Sequence, residues 1–384
     1  MECRAGAAAV ASAISDQSTI VNRHPTIRHM HPHDLDTPCL LLDLDAVEHN
    51  IAAMMAQLEG TGVALRPHFK TPKCPQVAKM QLDAGAIGIT VAKLGEAEVL
   101  ADAGLGPILM ANQVVGRLKI DRLMALLARG VDITVAVESE FNVRELAEGA
   151  ARSGQRPAAI IEVDNGMQRC GTTTPAETVT LARMLVDAGI DYRGIMGYEG
   201  HMYGQPEAGP RAELIQGALA SVNRHVEALA EAGLAPAIVS TSGSASVGVA
   251  SHTPGVTDLQ AGTYVFHDSH HEAFTPGVYR YALTLLTIVL TVRERYAVCD
   301  AGMKSLSADH GPSFSRDGSY KAARLSEEHA HLTGAGIANL RPGDKIELVP
   351  SHADTTLNLH DTYHVIRGGE VVDAWPILGA RKFK

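Results

Sequence analysis

Between about residue 38 and residue 265 the chain repeats one unit, and that repetition limits its possible folds more than any other feature. A short β-branched run is followed by a loop carrying Gly, Pro, Ser or Asn, then by an Ala/Leu-rich stretch with apolar residues three and four apart. The runs CLLLDL, VALRPHF, IGITVA, PILMA, DITVAV, AAIIEV, YRGIMGY and AIVSTS alternate with stretches such as AVEHNIAAMMAQLE, RLKIDRLMALLARG and RAELIQGALASVNRHVEALAEAG. The first texture is that of strands and the second that of helices, several of which end in Gly. About eight such units fit an α/β fold of the (β/α)8 TIM barrel type better than an open doubly wound sheet.

After about residue 278 the texture changes to RYALTLLTIVLTV, RYAVCDAG, DKIELVP and DTYHVIRGGEVVDAWPI. Strand-like runs separated by Gly, Pro and Asp turns predict a second, mostly β domain. The expected division is a peripheral or poorly ordered tail over 1–35, a barrel over 36–277 and a β domain over 278–384. The 43 acidic and 33 basic residues are mixed along the chain with no basic stripe, which excludes nucleic acid as a natural partner. Five cysteines without a CxxC pair predict reduced thiols and no disulfide framework. No apolar run approaches the length of a membrane span, and the Ala/Ser-rich start is too interrupted for a secretory signal. A cytoplasmic protein is expected, with a weak targeting segment at the N-terminus as the alternative.

The stretch VALRPHFKTPK (Val63 to Lys73) carries the first chemical signal. Strand alternation puts Leu65, Pro67 and Phe69 on one face and Arg66, His68 and Lys70 on the other. On a barrel strand that second face points into the lumen, and Lys70 falls at the C-terminal end where barrel enzymes carry their sites. Three buried cations demand an anionic partner, or a lysine that is neutral or covalently engaged. Desolvation among cations would lower the Lys70 pKa and make its amine a nucleophile toward an aldehyde. Two late loops, VSTSGSAS (Val239 to Ser246) and LQAGTYVFHD (Leu259 to Asp268), lie where barrels bind phosphate through backbone N–H groups and hydroxyls. An aldehyde-reactive lysine facing a phosphate cradle suggests pyridoxal 5'-phosphate.

The motifs TPCLLLDLDAVEHNI, RPHFKTPK, VAKLGEAEVL, EVDNGMQRCG, GYEGHMYG, LQAGTYVFHD, DAGMKSLSADHG and PSHADTTLNLHD occur in one order from about residue 36 to the C-terminus. In that order the chain resembles the fold-type III pyridoxal phosphate enzymes, in the branch of D-threonine aldolases and D-serine dehydratases. The resemblance implies an alanine racemase N-terminal-like barrel and covalent attachment of the cofactor to Lys70, with His68 beside it. It implies Arg169 at the cofactor's phenolic oxygen and Tyr198 at the pyridine nitrogen. It further implies Ser242, Gly243, Ser244, Gln260, Gly262 and Tyr264 around the phosphate.

His352 and Asp354 are two apart in VPSHADTTLNLHDTYH, so on an extended segment both would project from one face and grip one divalent ion. In the family this position holds His followed by Cys in dehydratases and by Asp in aldolases. Asp354 therefore implies a harder ion, Mn2+ ahead of Mg2+ or Co2+, and aldol chemistry. His360, Asp361 and His364 read as surface residues. His201, just past Tyr198, is the candidate base for the substrate hydroxyl.

The expected reaction is cleavage of a small D-β-hydroxy-α-amino acid to glycine and an aldehyde. A D-serine or D-3-hydroxyaspartate dehydratase, a D-3-hydroxyaspartate aldolase and a non-catalytic carrier of the cofactor are the alternatives. His267, His270, His271 and Arg324 are either a cationic site for a second carboxylate or surface residues. The resemblance also implies a homodimer in which DAGMKSLSADHG completes the partner's site.

Overall fold

The computed structural model describes residues 30–384. Whatever was expected of the tail over 1–29 lies outside the described residues. Residues 30–35 are packed, since Val371 N–H donates to Met30 O (2.8 Å) and Leu35 is buried.

The first strand, β1 (Cys39–Asp43), overturns one expectation. Its run CLLLD is apolar on both faces, which suits the centre of any covered sheet, so the residue pattern leaves the choice of sheet open. The structure places β1 outside the barrel, antiparallel to β10 (Leu283–Val292) and parallel to β16 (Thr362–Arg367). Only then does the chain enter the barrel through the helix Leu44–Leu58, capped by Asp43, whose carboxylate accepts from Ala46 N–H (3.0 Å).

The barrel strands are β2 (Ala64–Leu65), β3 (Ile89–Val91), β4 (Ile108–Gln113), β5 (Ile133–Val137), β6 (Ala158–Val163), β7 (Asp191–Gly197), β8 (Ile238–Thr241) and β9 (Asp258–Leu259). All pair in parallel in the order β2-β9-β8-β7-β6-β5-β4-β3. A parallel bridge between His68 and Thr90 closes the ring, supported by Thr90 N–H donating to Pro67 O (2.9 Å) and Phe69 N–H donating to Thr90 O (2.7 Å). Crossover helices cover the outside, and their boundaries follow local chemistry. Thr174 and Glu177 form a capping box around Pro175, and Gly154 ends its helix at φ 71°.

The second sheet runs β11-β14-β13-β12-β15-β10-β1-β16-β17, where β11 is Ala297–Cys299, β12 Phe314–Ser315, β13 Lys321–Leu325, β14 Ala330–Thr333, β15 Lys345–Val349 and β17 Glu370–Pro376. It shares one apolar core with part of the barrel, in which Leu42, Leu65, Phe266, Leu283 and Tyr363 are all buried. Polar seams add to this: Tyr363 Oη donates to Pro72 O (2.9 Å), Gly379 N–H to Lys73 O (2.8 Å) and Gly95 N–H to Lys384 O (2.8 Å). Those three bonds bring the second sheet and the C-terminal segment onto the barrel's C-terminal face. Cys39, Cys74, Cys170 and Cys299 are all free thiols, and burial pushes Cys74 up to about 11. Among the described residues no helix is long and apolar enough to cross a membrane.

Candidate active site

The loops that leave the C-terminal ends of the barrel strands, together with two segments of the second domain, enclose a cavity of about 450 Å³. Lys70 enters it from the barrel seam, one residue past the hydrogen bonds that close the ring. Across from its amine stands Asp354, with Nζ 3.7 Å from Oδ2. Burial pulls the Lys70 ammonium down, but Asp354 and then Tyr198 outweigh it and hold the pKa above that of ordinary lysine. The expected lowering does not occur in this arrangement, because the lysine faces a carboxylate rather than cations alone.

The basic face of VALRPHFK divides accordingly. Arg66 is buried and paired through Nε with Asp258 Oδ1 (3.3 Å), so it does not face the cavity. His68 lines the cavity and accepts the Lys70 backbone N–H on Nδ1 (3.2 Å). Burial, followed by the charge of Lys70, keeps its imidazole well below the usual value.

From the loops after β6 and β7 come Arg169 and Tyr198, with the guanidinium 5.8 Å from the ring centroid. Arg169 also lies 3.6 Å from Glu162, a carboxyl that burial holds above its ordinary value. The loop after β8 supplies Ser242, Gly243 and Ser244, with Ser242 at φ 72°, a conformation costly for a residue with a side chain. The loop after β9 supplies Gln260 and Gly262. A Cβ on Gly262 would stand 2.9 Å from Thr71 Oγ1 and 3.0 Å from His68 Cβ, so the close approach requires glycine. Tyr264 is turned away from the cavity: it is fully buried, and its hydroxyl accepts from Gln81 Nε2 (2.7 Å). Its backbone N–H donates to Ser244 Oγ (2.9 Å), which fixes that serine instead.

The His352 and Asp354 pair does not share one extended segment. His352 is extended and precedes the short helix Ala353–Leu357, and Asp354 lies in that helix's first turn. Both still line the cavity. Asp354 Oδ1 is buried with no hydrogen-bond partner, an oxygen without a proton donor of its own. Among the described residues, Asp309, His310 and His352 offer donor atoms within 4.8 Å of one another.

His201 is not brought to the cavity. It lies in the turn Gly200–Gly204 against Gly166, where a Cβ would meet its ring at 2.7 Å, and its Nδ1 is buried without a partner. Another imidazole is better placed. His271 lines the cavity, and its Nδ1 is 2.7 Å from Oδ1 of the fully buried Asp268. Burial opposes ionisation of Asp268, but His271 and the Ala353 N–H (3.0 Å) outweigh it and hold the carboxyl below its usual value. His270 and His310 complete this wall as a stacked pair with centroids 4.1 Å apart. His310 belongs to DAGMKSLSADHG, so that segment contributes to this chain's own cavity. His267 pairs with Glu272 (2.7 Å), Arg324 is exposed on β13, and His360, Asp361 and His364 do not line the cavity.

A primary amine, a guanidinium, a phenol and two glycine- and serine-bearing loops around one cavity are a donor set that fits pyridoxal phosphate. A buried orphan carboxylate oxygen near an imidazole fits a divalent cation.

Residues 42–270 match the family model of the alanine racemase N-terminal domain, and residues 282–366 match that of a serine dehydratase domain. The chain is 35% identical to a 3-hydroxy-D-aspartate aldolase of Paracoccus denitrificans (strain Pd 1222), over 93% of this chain and 95% of the relative. It is 34% identical to a D-threonine aldolase of an Arthrobacter species, over 91% and 93% of the two chains. The crystal structure of D-threonine aldolase from Filomicrobium marinum superposes with a TM-score of 0.89 at 32% identity, covering 94% of this chain and 99% of that one. By motif order, fold and whole-length similarity, the chain belongs to the alanine racemase N-terminal domain family, in the branch of the fold-type III pyridoxal phosphate enzymes that holds the D-threonine and 3-hydroxy-D-aspartate aldolases.

Proposed function

We propose that the protein is a carbon-carbon lyase that cleaves D-β-hydroxy-α-amino acids to glycine and an aldehyde, with pyridoxal phosphate and a divalent ion. The observation that carries this reading is the 3.7 Å approach of Lys70 to Asp354 in one cavity, which juxtaposes a cofactor-bearing amine and an ion-binding carboxylate.

Lys70 would carry the cofactor. Arg169 and Tyr198 would hold its ring, and Ser242, Gly243, Ser244, Gln260 and Gly262 would wrap its phosphate. Pyridoxal phosphate, when bound, supplies the electron sink that stabilises negative charge at Cα. His352 and Asp354 would hold the ion, with Mn2+ as the native species and Mg2+ or Co2+ as substitutes suited to an oxygen and imidazole set. A group lining the cavity then has to accept the proton of the substrate's β-hydroxyl. His271 is the group we assign to this, because Asp268 keeps a proton on Nδ1 and so leaves Nε2 as the acceptor. Lys70, whose amine enters the same cavity, would return the proton to Cα. We also infer a homodimer; equilibrium sedimentation at a single protomer mass would discard it.

The match of residues 282–366 to a serine dehydratase domain keeps dehydration as the second reading. One assay separates the two. D-threonine and D-3-hydroxyaspartate, each with Mn2+, should give glycine and an aldehyde from at least one, whereas a 2-oxo acid and ammonia would establish the dehydratase, and no product from either substrate would leave a carrier. A chelator should abolish turnover while leaving the cofactor's absorbance in place. Borohydride reduction and peptide mapping should find the pyridoxyl label on Lys70, and a label elsewhere refutes the assignment.

A further inference from the structure

His352 is held from behind. Its Nδ1 lies 2.7 Å from Asp309 Oδ2. The other oxygen of that carboxylate accepts from Ser307 Oγ (2.6 Å) and from Thr355 Oγ1 (3.0 Å). The backbone of Ser307 is itself anchored: its N–H donates to Thr356 Oγ1 (3.2 Å), and its carbonyl accepts from Ser351 Oγ (3.3 Å). Asp309 thus joins the loop before β12 to the helix Ala353–Leu357, the element on which Asp354 sits.

A carboxylate only accepts, so the shared proton belongs to Nδ1, and the lone pair of the neutral ring is on Nε2. We propose that Asp309 is a positioning residue that fixes the tautomer and plane of His352, so that Nε2 is presented to the divalent ion it shares with Asp354. This rests on the reading of His352 as an ion ligand. The alternative is that Asp309 ligates directly, together with His310 and His352, whose donor atoms fall within 4.8 Å. The 2.7 Å contact argues against it. Two ligand atoms at about 2.1 Å from one ion are about 3 Å or more apart, whereas 2.7 Å is a charge-assisted hydrogen bond. The Oδ1 of Asp309 is also already engaged by two hydroxyl donors, a restraint of the kind found behind ligating histidines.

The test uses cofactor-loaded, metal-stripped protein titrated with Mn2+, followed by loss of the electron paramagnetic resonance signal of free Mn2+. Asp309→Ala should weaken binding about 10- to 100-fold. Asp309→Asn, whose amide oxygen still accepts from Nδ1, should fall between it and the wild type. The cofactor's absorbance should not change, and saturating Mn2+ should restore kcat in Asp309→Ala. A merely structural role would lower the metal-free melting temperature and leave the Mn2+ affinity alone, which overturns the proposal. His310→Ala should bind Mn2+ within about twofold of the wild type; a loss as large as that of Asp309→Ala would instead establish the three-ligand site. Wild-type protein that leaves the Mn2+ signal untouched would remove the metal reading itself, an outcome distinct from wild-type binding matched by Asp309→Ala, which removes only the role of Asp309.

Discussion

Single side chains in the cavity are arranged as opposed charges, Lys70 against Asp354 and Arg169 against Glu162, with imidazoles lining the same cavity. Such a site works by where protons sit, so its base must touch the cavity. Replacing His271 by Ala should lower kcat at least about a hundredfold, the usual range for loss of a proton acceptor, while His201→Asn should stay within about threefold. Steady-state kinetics on D-threonine decides between them, and the reverse order would return the role to His201. Packing around the proposed phosphate loops is as local. Gly262→Ala puts a Cβ 2.9 Å from Thr71 Oγ1, and overpacking of about 1–3 kcal/mol should weaken cofactor binding roughly tenfold or more in an absorbance titration. Lys70, His352 and Asp354, singled out in the sequence through the resemblance rather than through their short motifs alone, all line the cavity. The roles given to Asp309, His310 and His271 were not legible there: Asp309 and His310 sit unremarked inside DAGMKSLSADHG, His271 read only as a carboxylate-binding or surface residue, and only the fold brings these two distant loops together.

Among the elements, the shortest have the most influence on the site. The turn His267–Glu272 is held by Asp268, which caps it through His271 N–H (2.9 Å), accepts from the His271 ring and accepts Ala353 N–H, tying two domains to one carboxylate. Its folded pKa is depressed, so its stabilising contribution is present above the ordinary carboxyl value of 3.8 and is lost as pH falls through the lower folded value. Thermal melts should therefore show the wild type more stable than Asp268→Asn near neutral pH, with the gap closing below about pH 4. A gap that stays constant with pH would dismiss the charge of Asp268 as its origin. Helices were readable from their apolar spacing and their Gly ends, because those signals are local. The run CLLLD was not readable in the same way, since a strand covered on both faces looks alike in a parallel and an antiparallel sheet.

For the whole molecule, that strand matters most. The second sheet has β1 at its interior, bonded to β10 on one side and β16 on the other. Residues 278–384 expressed alone should leave both of those edges unpaired and fail to give a dispersed amide spectrum, whereas a well-dispersed one would show the sheet to be independent. Seen this way, the barrel is an insertion, spliced between two neighbouring strands of another sheet. Anyone grafting a foreign barrel onto this β domain, or tracing how the two were first combined, must therefore look for two junctions, one near residue 44 and one near residue 282, because a single end-to-end fusion point does not exist in this chain.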